Sequence, residues 1–474
     1  MGRDHDRPRM ESDELSTPIR AGVAVRNLPR DLELHRDDRP HGYNWKRHGV
    51  HRLRTPEGIA DPRPYQDAVR ELGPLFYDEI GRVWVCSGYA EAAAVLRDHR
   101  GFGASTVPDG SGTGATSAAT SAATSAATSA ATSAATSAAA RATGMLADQM
   151  LFADPPHHTA VRAALRDRLA PAALRAHDPA LRRLVDAALD RLPSHGRIDL
   201  VADFAGPLPV ALAAHLLDMP DRTGDLHRWA DAYDRLLGGL STLPRIRDRE
   251  IVPVLDEALD ALTALARDRR RDSAAGSGDD LLSALVDGIT APADTAPADA
   301  ALRLAASNAL LLIGGGFRTL THVVTAGLRL LAQHPDQQRL LRERPDLIDG
   351  AVREILRLDG PSPYVARRAR RDVTVDGRTI AEGQTVVVLL AAANTDPSAF
   401  ADPYRLDVTR RGAPHLAFGG GAHHCVGAPF AERTAGRAIL GFLDRYERYA
   451  VDGVEWGPHR NRPTRCPAHV HVTV

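Results

Sequence analysis

One stretch near the C-terminus, Phe418-Gly-Gly-Gly-Ala-His-His-Cys-Val-Gly427, constrains this chain more than any other. Consecutive glycines let the backbone wrap closely around a bound group and leave amide N–H groups able to point at the Cys425 sulfur. A helical pattern begins directly after the loop, from about Ala428 to Glu447, so the positive end of a helix dipole falls beside the thiol. Both effects favour the thiolate, the form that ligates metals. The plainer alternative is a buried structural cysteine in a glycine loop, and the rest of the sequence has to decide.

The cysteines narrow the choice. Cys86, Cys425 and Cys466 are odd in number and far apart, so a disulfide framework is not expected and a reducing cytoplasm fits. No Cys-x-x-Cys pair points to zinc. A formal net charge of −1 directs the chain to neither nucleic acid nor an anionic membrane. The start of the chain lacks the apolar core of a signal peptide, and no run of about 20 apolar residues occurs, so no membrane anchor is expected. With 474 residues, length alone suggests two domains.

Residues 1–60 are polar and Arg-rich without sustained periodicity, which predicts a disordered N-terminal extension; Tyr43 and Trp45 are its candidates for docking. Hydrophobic periodicity then predicts a helix over Tyr65–Leu72, strands over Leu75–Ile80 and Arg82–Cys86, and a helix over Tyr89–Asp98. Between about 104 and 142 the sequence is of low complexity, with six Thr-Ser-Ala-Ala units from Thr116. A four-residue period of small side chains buries too little surface to offset its ordering entropy, so a floppy insertion is expected. Beyond Met145 helices dominate, among them Pro156–Leu169, Ala180–Arg191, Leu208–Leu217, Arg249–Arg267, Asp299–Gln333 and Pro345–Leu358. Strands return at Val373–Val375, Thr385–Leu390 and His469–Val474, making the chain mainly α with minor β.

The cysteine loop resembles the cytochrome P450 pattern Phe-x-x-Gly-x-x-x-Cys-x-Gly, met by Phe418, Gly421, Cys425 and Gly427. Upstream, Glu354-Ile-Leu-Arg357 resembles the family's Glu-x-x-Arg pair, whose i, i+3 spacing puts both residues on one helix face. Ala393-Asn-Thr-Asp-Pro397, Phe400, Asp402-Pro403 and Asp407 look like the stretch joining these motifs, with Arg410 available to complete the ion-pair network. The resemblance runs from about Pro62 to the C-terminus. It implies one domain over 61–474 with the triangular, mainly α P450 architecture, haem b (iron protoporphyrin IX) as cofactor and Cys425 as the iron ligand.

The same resemblance assigns the haem's carboxylate partners. Asp154-Pro-Pro-His-His-Thr-Ala-Val-Arg162 is similar to the family's Asp-Pro-Pro-x-His-Thr-x-x-Arg, which makes His158 and Arg162 propionate ligands. Arg367, in Arg-x-Ala-x-x-Asp-Val, and His423 are the third and fourth; Phe418, Gly419 and Gly427 complete the cofactor-binding loop. Arginine suits this task because its fork binds carboxylates bidentately. Arg368, Arg370 and Arg371 read as a solvated face.

On the opposite side, Gly315-Gly316-Phe317-Arg318-Thr319 matches the family's Gly-Gly-x-acid-Thr, except that arginine replaces the acid. Thr319 keeps the hydroxyl that helps deliver protons. A guanidinium neither shuttles nor accepts them. Three readings stay open: Arg318 turns into a salt bridge, anchors a substrate carboxylate, or marks a peroxide-using enzyme. The expected activity is insertion of one oxygen atom into a small organic substrate, with electrons from NAD(P)H through a ferredoxin reductase and a ferredoxin. A soluble bacterial monomer tailoring a secondary metabolite is implied; the rivals are a peroxygenase or oxygen-independent enzyme and a non-catalytic haem protein. The pocket is expected to be lined by the segment after Asp98, by parts of 205–245, by Pro361–Ala366 and by the loop at Arg465-Cys466-Pro467.

Overall fold

The sequence patterns resolve into helices laid around one long central helix, with small sheets at the side, in a computed structural model that describes residues 42–104, 140–239, 247–273, 278–289, 298–457 and 464–474. In chain order, α1 (Arg63–Arg70) leads to the hairpin β1 (Leu75–Asp78) and β2 (Val83–Cys86). Asp78 Oδ1 accepts the Ile80 and Gly81 amides at 3.0 Å each, which closes the turn. Then come α2 (Tyr89–Arg97), β3 (Phe102–Gly103), α3 (His157–Arg166), α4 (Pro171–Asp190), β4 (Arg197–Asp199), α5 (Pro207–Leu216) and α6 (Thr223–Gly239). They are followed by α7 (Val252–Ser273), α8 (Leu281–Gly288), α9 (Ala298–Gln333), α10 (Pro335–Glu343) and α11 (Ile348–Leu358). Strands β5 (Val365–Ala369), β6 (Val373–Val375), β7 (Arg378–Ile380) and β8 (Thr385–Val388) precede α12 (Ala428–Arg445), β9 (Ala450–Glu455) and β10 (His469–Thr473).

The main sheet has the order β1-β2-β8-β5-β3; only β2 and β8 run parallel. Its centre is β8, whose Val386, Val387 and Val388 are all buried, as a strand covered on both faces requires. A second sheet, β4-β10-β9, ties the C-terminus to the segment after α4, and β6 pairs with β7.

Helix α9 is the axis of the helical part. Its 36 residues span about 54 Å. It is long and apolar enough to cross a membrane, but most of that stretch is buried inside the protein. Two glycines let neighbours close on it. A Cβ at Gly314 would lie 2.2 Å from the Tyr233 ring on α6, and one at Gly327 would lie 2.6 Å from Ile439 on α12.

The ion-pair network behind the cysteine loop is built as its motif implied. Arg357 donates to Glu354 through Nε at 2.7 Å and Nη2 at 2.8 Å, and Arg410 Nε reaches Glu354 at 2.9 Å. Arg357 also donates to the carbonyls of Asn394 and Pro403, so α11 holds the long turn-rich stretch in place.

The expected extension over 1–60 is corrected at its inner end: residues 42–60 are folded. Short helices cover Trp45–His48 and Pro56–Ala60. Tyr43 donates to Asp78 at 2.5 Å, and the Val50 amide donates to the same carboxylate at 2.9 Å. Arg465 donates to the carbonyls of Ile59 and Ala60, bringing the C-terminal loop onto this segment. Tyr43, Val50 and Leu53 also pack on the core, but from turns and helices of five residues or fewer, too short to show a hydrophobic period. Residues 1–41 and the repeat stretch 105–139 lie outside the described residues.

Candidate active site

The cysteine loop is shaped by its own backbone bonds. The Gly419 amide donates to Leu416 at 2.8 Å and the Cys425 amide to Phe418 at 2.9 Å, with Phe418 half-buried against the core. Gly421 has φ +64, and a Cβ there would stand 2.4 Å from the Leu96 carbonyl oxygen at the end of α2. Only glycine lets the loop close on that helix. Burial pushes the Cys425 thiol up, against the N–H groups of Gly427 and Ala428 and the Arg162 cation, all of which favour the thiolate. Cys425 itself is exposed, so a bound group can reach it.

Four bases from three separate segments gather beside it. On α3, His158 is 2% exposed, and its ring centroid lies 4.1 Å from that of His423. Arg162, one turn further along, acts electrostatically on Cys425. Arg367 projects from β5, buried, and burial pushes it down to about 10 against the pull of Asp154. Burial, followed by His158, Arg367 and Arg162, pushes His423 down to about 3, so it is neutral at pH 7. His158 is lowered in the same way, by burial first and then by Arg162. Both ring nitrogens of His158 are buried without a hydrogen-bond partner.

Asp154 is the anchor beneath these bases. It accepts the Ala104 amide at 2.9 Å, pairs with Arg370 at 2.6 Å and stands 3.9 Å from His423 Nε2. Arg370 is exposed, as a solvated face implies, and is also paired with Asp154. A buried imidazole without a partner, the buried Arg367, the half-buried Arg162 and a second histidine together make a donor-rich pocket wall. A planar group carrying two carboxylates and a thiolate-ligated iron fits this donor set.

Thr319 and Arg318 lie on the other wall, along α9. Phe317 is buried, whereas Gly315 and Gly316 are exposed although they sit mid-helix. A Cβ at Gly316 would meet nothing within 4 Å, so this face of α9 is open. Thr319 Oγ1 donates to the carbonyls of Gly315 at 2.8 Å and Gly316 at 3.2 Å. Arg318 turns to α6, where Nη2 pairs with Asp231 at 3.3 Å and Nε lies 3.6 Å from Asp234. Sequence reading missed these two acids; their i, i+3 spacing is one that solvated helices show constantly. A narrow crevice runs between Ile59, Pro363, Tyr364 and Arg465. Two of the expected lining segments meet there, joined by the N-terminal segment that the sequence did not place.

A cysteine under a glycine loop, faced by cations and histidines in a mainly helical fold, defines a haem-thiolate protein. The comparisons agree. The family profile described as Cytochrome P450 matches residues 226–458. The biotin biosynthesis cytochrome P450 of Bacillus subtilis (strain 168) is 28% identical over 410 residues, covering 86% of this chain and 94% of its own length. The cytochrome P450 monooxygenase PikC of Streptomyces venezuelae is 32% identical over 409 residues, covering 83% and 86%. Among solved structures, P450BioI in complex with a fatty-acid-ligated acyl carrier protein aligns with a TM-score of 0.74 at 27% identity, covering 88% of this chain and 99% of that one. The chain belongs to the cytochrome P450 family: it is a haem b enzyme and an oxidoreductase of the monooxygenase type.

Proposed function

We propose that this enzyme inserts one oxygen atom from dioxygen into a small organic molecule, and that Cys425 would hold the haem iron. His158, Arg162, Arg367 and His423 hold the two propionates, and Phe418, Gly419 and Gly427 shape the loop around the sulfur. The haem supplies oxygen activation when bound, and thiolate ligation favours O–O cleavage. The protein orients the ring, keeps negative charge on sulfur through the Gly427 and Ala428 N–H groups, and shields the propionates from water.

On the distal wall, Gly315 and Gly316 leave room beside α9, and Thr319 offers a hydroxyl. Its proton rests on the Gly315 and Gly316 carbonyls, which leaves the oxygen lone pairs to accept a hydrogen bond; passing a proton on requires the hydroxyl to rotate away from those carbonyls. The observation that carries this reading is the Gly-Gly-x-x-Thr stretch presented on an open face of an otherwise buried helix. Engagement of Arg318 with Asp231 and Asp234 supports the salt-bridge reading and weighs against a substrate-carboxylate anchor or a peroxygenase site. Electrons come from NAD(P)H through a ferredoxin reductase and a ferredoxin. Likeness to bacterial enzymes named nocardicin C N-oxygenase and 6-deoxyerythronolide B hydroxylase supports a secondary metabolite as the substrate.

The test is turnover of the haem-loaded enzyme with ferredoxin, reductase and NADPH under oxygen-18 dioxygen, on compounds chosen by their shift of the haem absorption band. The reading predicts one labelled oxygen atom in the product. Product formed with hydrogen peroxide but never with dioxygen and reductant would contradict it.

A further inference from the structure

The acid missing beside Thr319 has counterparts on the neighbouring helix. His227, Asp231 and Asp234 lie at i, i+4 and i+7 on α6, a spacing that sets them in one stripe. The stripe packs on Phe317 and Arg318 of α9, the two residues just before Thr319, on the side turned away from the open face of Gly315 and Gly316. The His227 ring packs edge-on against Phe317, with centroids 5.1 Å apart, and Arg318 meets both carboxylates. Exposure falls steadily along it: His227 is exposed, the Asp231 side chain is 36% exposed and that of Asp234 is 4%. Two carboxylates share one guanidinium. The other cations of α6 are engaged on α7 and its preceding turn, Arg228 with Glu257 and Arg235 with Glu250, both away from Arg318. Between the stripe's flanking residues, Tyr233 packs directly on Gly314, which fixes the approach of the two helices.

We propose that His227, Asp231 and Asp234 form the proton-entry route to the distal face of α9, with Arg318 as the positioning residue that holds the two carboxylates there. The inference rests on the dioxygen-dependent reading above. Histidine is the side chain suited to exchanging protons with water near neutral pH, and a carboxyl group can take a proton on one oxygen and release it from the other. A proton taken up at His227 passes to the Asp231 carboxylate, then to Asp234, and leaves toward Thr319 through water. Each group returns to its starting charge. Arginine at position 318 is then not a lost acid but the counter-ion of an acid supplied from another helix.

The experiment compares wild type, D234N, D231N and D234E as haem-loaded enzymes under two oxidants. Hydrogen peroxide brings its own protons and needs no relay. D234N should lower dioxygen-driven product formation by about 10²-fold and leave peroxide-driven formation unchanged, with D234E restoring the dioxygen reaction. D231N, at a half-exposed position, gives the same split where D234N folds poorly. An independent arm is the reduced-minus-oxidised infrared spectrum, in which wild type should show a carboxyl band sensitive to heavy water and D234N should lack it. Equal loss with both oxidants, loss with neither, or an unchanged carboxyl band overturns the proposal. Wild type active with peroxide alone would instead sink the dioxygen reading, while the infrared band judges the stripe separately.

Discussion

Replacing Arg357 by leucine should cost about 5 kcal/mol, a loss built from the surroundings of the side chain. Arg357 is buried and donates to both oxygens of Glu354 and to the carbonyls of Asn394, Pro403 and Arg405. Removing one member of a buried pair typically costs about 3–5 kcal/mol, because the remaining charge stays desolvated. Glu354 keeps Arg410 at 2.9 Å and the Asp407 amide at 3.1 Å, which places the ion-pair part near the lower end. The released carbonyls add about 1 kcal/mol each where water does not reach them, and partial solvation brings the sum to about 5 kcal/mol. Against a total of about 5–15 kcal/mol, that is a large fraction of the fold's stability. Arg410→Leu should cost about 2 kcal/mol, since Arg357 still covers the carboxylate. The consequence reaches the active site: Asn394 Oδ1 accepts the Leu416 amide at 2.6 Å, two residues before the cysteine loop, so R357L should also retain less haem. Urea unfolding of wild type, R357L, R410L and the double variant E354L/R357L measures the series. The double variant should be no more stable than R357L, because Arg410 still covers Glu354 in the single variant and loses that partner in the double. An R357L cost below about 1 kcal/mol, or a double variant clearly more stable than the single, would refute the reasoning.

Three further outcomes follow from local geometry. Gly421→Ala should open the cysteine loop, because its Cβ would meet the Leu96 carbonyl oxygen at 2.4 Å; haem content and the thiolate absorption band should fall together. Gly314→Val should displace Tyr233 and cost about 1–3 kcal/mol by overpacking, read as a lower urea midpoint. Burial pushes the Asp359 carboxyl up, but Arg465, His322 and Arg329 outweigh it and hold the group well below the usual carboxylate range. A carboxylate lowered on folding contributes its stability in full above its unfolded value, about pH 4, and loses it as pH falls below that. The melting temperature of D359N should therefore fall less steeply below about pH 4 than that of wild type.

The proximal half of the site was legible because its chemistry is carried by short contiguous runs. The glycine loop, Glu354-Ile-Leu-Arg357 and Asp154 to Arg162 each fix their own backbone, so residue order predicts geometry. His158, Arg162, Arg367 and His423 could be named without knowing how far apart the chain would carry them. The long apolar helix Asp299–Gln333 was read to within a residue, whereas the expected Ala180–Arg191 is the second half of α4, which starts at Pro171, and the expected Arg249–Arg267 stops six residues short of the end of α7. Strand β5 was not read, because Val365-Ala-Arg-Arg-Ala369 is paired on both edges by β8 and β3 and shows no alternation of its own. Residues 42–60 were missed for a related reason: Tyr43, Val50 and Leu53 pack on the core from short helices and turns, and polar contacts to Asp78 and Arg465 do the rest, so no sustained period marks them. Arg318 marks the sharpest limit. Its identity showed that something unusual had happened on α9, but its partners lie about 85 residues away on α6, and no local pattern connects them.

The central claim is that Cys425 is the haem's thiolate ligand, and the reduced-carbonyl absorption spectrum tests it most directly. Wild-type protein should give the red-shifted band that marks a thiolate opposite carbon monoxide, and C425S should lose that band while the four bases still retain some haem. An unshifted band in wild type, or a red-shifted band that survives in C425S, would contradict the account.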